Sequence, residues 1–212
     1  MPALAARPEM SAPRGQACDG YPLCHKLGVM RRSQGRRPRP PLDRDRLNEL
    51  ALFYVGRYAT TRAKLSSYLE RKLRERGWSG DFDPDIERLV ERFAESGLVD
   101  DASFALAKSR SLSERGYGGR RVGQALRAAG IDATDSEAAR ELAADEAVAS
   151  ALRFARRRRI GPFADSAPDR AGRERAMAAM IRAGHSFELA KAVTGMPPGS
   201  ECDVEELRSK TS

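Results

Sequence analysis

The chain has 212 residues, of which 41% are hydrophobic and 6% aromatic, and carries a net charge of +8. That is enough apolar material for a modest core, and it excludes collagen, a wholly disordered chain and a disulfide-stapled miniprotein. No run approaches the roughly 18 apolar residues of a membrane span, and Met1-Pro2-Ala3-Leu4 leads into Arg7, Pro8 and Glu9, not into an apolar signal core, so a cytoplasmic protein is expected.

Residues 1–42 are rich in Pro, Arg and Gly, lack apolar periodicity and read as a disordered basic tail. The first 44 residues hold +6 of the net charge, which leaves about +2 on the rest, so any basic partner surface there depends on local clustering. Pro38 to Pro41 formally spells PxxP but reads as an extended linker, and Met30 is a second candidate start. Cys18, Cys24 and His25 look like a fragment of a metal site, yet they lack the fourth ligand and tight spacing of structural zinc, and no metal is expected. With Cys202, the cysteines are three, an odd number in flanking segments that fits a reducing compartment.

From residue 43 the spacing is helical. Leu47, Leu50, Ala51, Tyr54 and Tyr58 form one buried stripe, capped by Asp43 or Asp45. Thr60 is placed to cap a second helix carrying Leu65, Tyr68, Leu69 and Leu73, which Gly77 stops in a left-handed conformation while Trp78 folds back as its clamp. Asp83-Pro84 opens a third helix with Ile86, Leu89, Val90 and Phe93, ended by Gly97. The plan then recurs. Asp100 or Asp101 caps a helix with Phe104, Leu106 and Leu112; Gly116 to Gly119 makes a turn; Val122, Ala125, Leu126 and Ala129 line a helix ended by Gly130-Ile131; and residues 135–142 make a short third helix. Residues 146–159 open a last module, broken by Gly161-Pro162 and followed by a helix with Ala176, Met177, Met180 and Ile181 that ends at Gly184-His185. A final helix bears Phe187, Leu189, Ala190 and Val193 and stops at Gly195.

Gly77, Gly130 and Gly184 are 53 and 54 residues apart, each four residues after the last core residue of its helix. This period suits a three-helix unit of roughly 50 residues. The expected fold is all-α: three tandem three-helix repeats over 43–98, 99–144 and 145–196, with an acidic C-terminal tail over 197–212. Units this small bury too little surface alone, so they are expected to stack into an elongated, curved body.

Catalytic constellations are missing from the sequence. Its two histidines are His25 and His185, and it contains no G-x-x-x-x-G-K-[ST], G-x-S-x-G or H-E-x-x-H. The Gly116 to Gly119 turn lacks the Lys-Ser/Thr of a phosphate cradle, His185 reads as an amphipathic cap, and Asp100-Asp101 as helix-start carboxylates. A non-enzyme without cofactors is expected.

Charge on the exposed faces is more informative. Lys64, Ser67, Arg71 and Arg74 share one face of the second helix, and the positions 53 later are Tyr117, Arg120, Gln124 and Arg127, with Arg121 adjoining. Two modules thus present basic residues from equivalent helices, as a surface following a phosphate backbone would. In the third module the charge moves to Arg153 and the run Arg156, Arg157, Arg158, Arg159, where crowded like charges call for an anionic neighbour. Solvated helix faces and arginine-rich codon usage are the bland alternative, since only six of the 38 basic residues are lysine. A helix-turn-helix nucleic-acid-binding protein or transcription regulator is the competing functional class. Base readout, however, favours Asn and Gln as well as Arg, and Asn48 is the sole asparagine while Gln124 is the one glutamine outside the tail. Phosphate contact without base readout fits better.

The segment Arg57-Tyr58-Ala59-Thr60-Thr61, followed by Leu65 and by Lys72-Leu73-Arg74-Glu75-Arg76-Gly77-Trp78, resembles the first-module signature of the RecX regulatory proteins, modulators of the bacterial recombinase RecA. More specific is Gly97-Leu98-Val99-Asp100-Asp101-Ala102-Ser103-Phe104-Ala105, then Ser109-Arg110, Gly118 to Leu126 and Gly130-Ile131. The resemblance runs from about Leu47 to Val193. Lys64 departs from it, standing where the family usually has an acid, and the third module is the least similar, with a longer 161–169 turn. A monomer is expected, and the resemblance implies a non-enzymatic protein of three tandem three-helix repeats lying in the groove of the RecA–single-stranded DNA filament. There it would restrain ATP hydrolysis, strand exchange and coprotease activity, and hence the SOS response. No membrane partner is implied.

Overall fold

The computed structural model describes residues 39–209, so the expectations for Cys18, Cys24, His25 and Met30 lie outside the described residues. Those residues are all-helical: α1 (Arg44–Arg57), α2 (Arg62–Arg76), α3 (Ile86–Glu95), α4 (Asp101–Glu114), α5 (Gly119–Ala128), α6 (Glu137–Asp145), α7 (Ala147–Arg158), α8 (Arg170–Arg182), α9 (Phe187–Gly195) and α10 (Val204–Ser209), with a 3-10 turn at Gly161–Phe163. The apolar stripes close into three clusters. Leu47, Leu65, Leu69, Leu89 and Phe93 pack among α1–α3; Leu112, Val122, Leu126 and Ala139 among α4–α6; and Val148, Phe154, Met180, Leu189 and Val193 among α7–α9. Tyr117 touches both the second and the third cluster.

Several helix starts are displaced from the sequence reading. Thr61, not Thr60, caps α2: its hydroxyl accepts from Lys64 N and donates to Ala129 O at 2.6 Å, whereas the Thr60 hydroxyl is buried with no partner among the described residues. Asp85, not Asp83, caps α3, because its carboxylate stands three residues before the free Arg88 N–H and receives it at 2.9 Å. Asp43 and Asp100 cap α1 and α4. Tyr58, counted in the first stripe, lies just past α1 with half its surface exposed.

Both flanks contribute more than the sequence suggests. Leu42, the last residue of the expected tail, is fully buried, its N–H donating to Gly77 O at 2.9 Å and its carbonyl accepting from Ser79 N at 2.8 Å. Arg76 holds the Pro40 carbonyl with two guanidinium nitrogens. A lone extended residue has no periodicity to reveal it. Trp78 packs against the first cluster, but its backbone is engaged in the bridge to Leu42, so α2 closes with the single Gly77 N bond to Leu73 O and without a six-to-one bond. At the other end, where the sequence suggests an acidic tail, α10 buries Leu207 against the third cluster.

Gly130 and Gly184 behave as the repeat predicts. Their φ values are +73° and +98°, and the following residue closes each helix with the six-to-one bond of a Schellman cap, Ile131 N to Leu126 O and His185 N to Met180 O, both at 3.2 Å.

Candidate basic interface

The second helices of successive modules meet end to end. At the first joint the N-terminus of α2 abuts the C-terminus of α5: Thr61 donates to Ala129 O, and a Cβ added at Gly130 would overlap the Ala63 methyl. At the second joint α5 abuts α8 in the same way, with Gly118 N donating to Ala183 O at 3.0 Å and Arg120 N to Gly184 O at 3.1 Å. There a Cβ on Gly184 would lie 2.5 Å from Arg121 N. A helix C-terminal carbonyl is thus satisfied at each joint by the N-terminus of another helix, through a side-chain hydroxyl at the first and through backbone N–H groups at the second. A Cβ at Gly77 would meet nothing within 4 Å among the described residues.

Side chains lock both joints. Asp101 is buried and accepts the Arg62 backbone N–H at 2.9 Å, while the Arg62 guanidinium reaches Asp101 and Asp135. The Arg62 pKa is shifted upward: burial works against the charge, but Asp101 and Asp135 outweigh it. At the second joint the buried His185 ring donates from Nε2 to Gly116 O at 3.2 Å and tilts against Phe154. Burial pushes its pKa down, with the Gly116 bond opposing, so the ring is held neutral.

Because the joint brings α2 against α5, basic residues far apart in sequence become neighbours. Lys64, Ser67 and Arg71 from α2 and Arg127 from α5 line one groove of about 380 Å³, floored by Tyr54 and Tyr68. Lys64 lies 4.3 Å from the Phe104 ring centroid, and its pKa is lowered by burial first and by Lys108 second, with Asp101 opposing. Arg71 stands over Tyr68 and 3.6 Å from Glu75; Arg74, outside the groove, is 3.9 Å from Glu70. Arg120, Arg121 and Arg127 are exposed and have no acidic partner among the described residues. Arg140 of α6, missed in the sequence because the short third helix shows no repeat-related charge, faces Arg120 and Arg127 across a second groove.

The third-module arginines are placed differently. Arg153 donates to Ser113 O at 3.2 Å and to Glu146, and Arg157 to Arg115 O at 2.6 Å, so both serve the C-terminal carbonyls of α4. Arg156 stands over Phe163 and Arg158 over Phe154, while Arg159, left-handed at φ +52°, pairs with Asp165. Carbonyls and Asp165 thus offset Arg153, Arg157 and Arg159 internally, while Arg156 and Arg158 rest on rings and stay exposed without an acidic partner among the described residues. Among the described residues no group of His, Cys, Asp or Glu is arranged to hold a metal, and no helix is long and apolar enough to cross a membrane.

End-joined three-helix units, the second helices of the first two sharing a cationic face, define a class of helical-repeat protein. Residues 100–139 match the family described as RecX, second three-helix domain. The chain is 33% identical over 163 residues to the regulatory protein RecX of Myxococcus xanthus, covering 72% of this chain and 86% of that one. It is 28% identical over 159 residues to that of Agrobacterium fabrum, covering 73% and 84%. The crystal structure of RecX from Lactobacillus salivarius superposes with a TM-score of 0.52 at 19% identity, over 70% of this chain and 92% of that one. The chain belongs to the RecX family of regulatory proteins.

Proposed function

We propose that this protein binds the RecA–single-stranded DNA filament and inhibits its ATPase, strand exchange and coprotease activity, acting without catalysis in the regulation of recombination, repair and the SOS response. The regulatory class follows from the family; RecA as partner follows from the sequence resemblance. The observation that carries the reading is the α2–α5 joint, which gathers Lys64, Arg71 and Arg127 into one groove; Arg127 also lines the second groove with the unpaired Arg120, and Arg121, exposed and unpaired, lies on the same helix. Five cations along two abutting helices suit a periodic anionic partner, phosphates or acidic filament surface, better than an isolated small anion. The competing helix-turn-helix reading loses support because Asn48, the one asparagine, has its side-chain oxygen occupied by Arg92 at 2.9 Å. The test is a RecA filament ATPase assay with and without the protein. Inhibition at substoichiometric amounts is expected. Inhibition only at amounts that saturate the DNA would mark a mere competitor for DNA, and no inhibition would remove RecA as partner.

A further inference from the structure

Two surfaces on this chain are complementary in chemistry and remain unmatched. The first is the loop between α2 and α3. Phe82 is 86% exposed, and Asp81 and Asp83 on either side have no hydrogen-bond or ion-pair partner among the described residues. The loop is nevertheless pinned. Ser79 N donates to Leu42 O, Trp78 Nε1 donates to Phe82 O at 2.7 Å, and Gly80 packs so tightly on the indole that a Cβ there would lie 2.5 Å from the ring. Asp85 fixes the far end as the α3 cap. Holding the backbone while the ring projects into water leaves an aromatic knob between two free carboxylates, with little conformational entropy left to lose on docking.

The second surface is the groove of about 620 Å³ between α5, α6 and α9. Its floor is low and apolar, with Gly123, Ala143 and Leu189 buried beneath it, and a Cβ at Gly119 would meet nothing nearer than the Ala143 methyl at 4.0 Å. Its rim carries Arg120, Arg127 and Arg140, all exposed and without an acidic partner among the described residues. An apolar floor alone would accept many occupants. A floor ringed by unpaired guanidinium groups selects an apolar side chain flanked by carboxylates.

We propose that this groove receives the Asp81-Phe82-Asp83 loop of a second copy of the chain, the phenyl ring on the Gly123–Ala143–Leu189 floor and the two carboxylates on the arginine rim. The two surfaces differ and lie on different modules, so the contact is heterologous: each copy offers a knob to one neighbour and a groove to another, and the copies form an open row instead of a closed dimer. One ring and a few exposed ion pairs make a weak contact, so dilute protein is monomeric and the row fills only when copies are concentrated.

The test is sedimentation velocity of the full chain over a concentration series. For the wild type, the weight-average mass should rise from the 23.3 kDa of one chain past twice that value, and added salt should suppress the rise. Phe82→Ala removes the knob and Arg140→Glu reverses the rim; both positions are exposed, so helicity by circular dichroism should match the wild type. Each variant alone should lose the rise, and an equimolar mixture should regain association but stop at a dimer, since it holds one intact knob and one intact groove. A wild-type mass constant at all concentrations overturns the proposal. So does a rise that survives either substitution. Loss of binding to an oligonucleotide or to RecA filaments by Arg140→Glu, with no change in mass behaviour, would assign the groove to that partner and equally overturn it.

Discussion

Asp101 accepts the backbone N–H of Arg62 at 2.9 Å, so the first acid of α4 supplies a cap to a helix of the preceding module, while its neighbour Asp100 caps α4 itself. Two adjacent aspartates thus do different jobs. Asp101 is buried and faces a charged partner, so Asp101→Ala should cost about 2–4 kcal/mol in urea unfolding, combining a lost charged hydrogen bond with a stranded N–H. Asp100→Ala should cost only about 1 kcal/mol, the ordinary value of an exposed cap. Equal losses would mean that Asp101 does not tie the modules.

The three cap glycines are equivalent in sequence but not in surroundings. Gly77 is not left-handed as the sequence suggests but extended at φ +77° and ψ 171°, a region essentially reserved for glycine, so Gly77→Ala should cost about 1–3 kcal/mol for the backbone alone, its Cβ entering open space. Gly130→Ala and Gly184→Ala should each add, to the roughly 1–2 kcal/mol of a left-handed residue, about 1–3 kcal/mol through overpacking at a joint. The obstacle at Gly130 is the Ala63 methyl, whereas at Gly184 it is the backbone of Arg121. A double-mutant cycle with Ala63→Gly should therefore show favourable coupling to Gly130→Ala and none to Gly184→Ala.

His185 makes the second joint sensitive to acid. Its folded pKa lies below the ordinary 6.5, so the unfolded chain binds more protons in the window just below that value. Stability should be full above about pH 6.5 and fall as pH drops through the window, with a slope of at most about 1.4 kcal/mol per pH unit for one proton. Asp100 and Glu75 have depressed pKa values, held down chiefly by the Ser103 N–H and by Lys72 respectively. Their contributions persist until well below the His185 window and are lost only at lower pH. Chemical denaturation between pH 5 and pH 7.5 should show the slope in the wild type and a flatter profile in His185→Gln. Identical profiles would show that burial of this ring does not set the acid response.

What could be read from the sequence follows from the range of the forces involved. A left-handed cap demands glycine locally, so Gly130 and Gly184 reveal the repeat without any tertiary knowledge. The choice between Thr60 and Thr61 is made by Ala129, 68 residues away, whose carbonyl takes the Thr61 hydroxyl; no local rule contains that information. Leu42 is invisible to periodicity because a single extended residue enters the core. The basic faces of α2 and α5 were legible as helix faces, but their merging into one groove around Arg127, and the addition of Arg140, depend on how modules abut. Charge density pointed equally to the arginines of α7, where the nearby end of α4 gives Arg153 and Arg157 an internal task instead.

That difference separates the basic residues into two experimental classes. Arg120, Arg121 and Arg127 are exposed and unpaired, so a triple glutamine variant should keep the wild-type stability within about 0.5 kcal/mol. If the face meets phosphates, its affinity for RecA–single-stranded DNA filaments and for bare oligonucleotide should fall, and each log–log salt slope should flatten by about one unit for every phosphate no longer neutralised. Arg153→Gln with Arg157→Gln should act the other way round. Removing their bonds to Ser113 O and Arg115 O should lower stability by about 1–2 kcal/mol while leaving the salt slope in place. Titrating both variants at several salt concentrations, beside their urea curves, decides the assignment. Weaker binding by the triple variant on filaments alone would identify acidic filament surface, not DNA, as what the face touches. Unchanged affinity and slope on both targets would reduce it to solvated surface, and a slope change in the Arg153/Arg157 variant would return α7 to the interface.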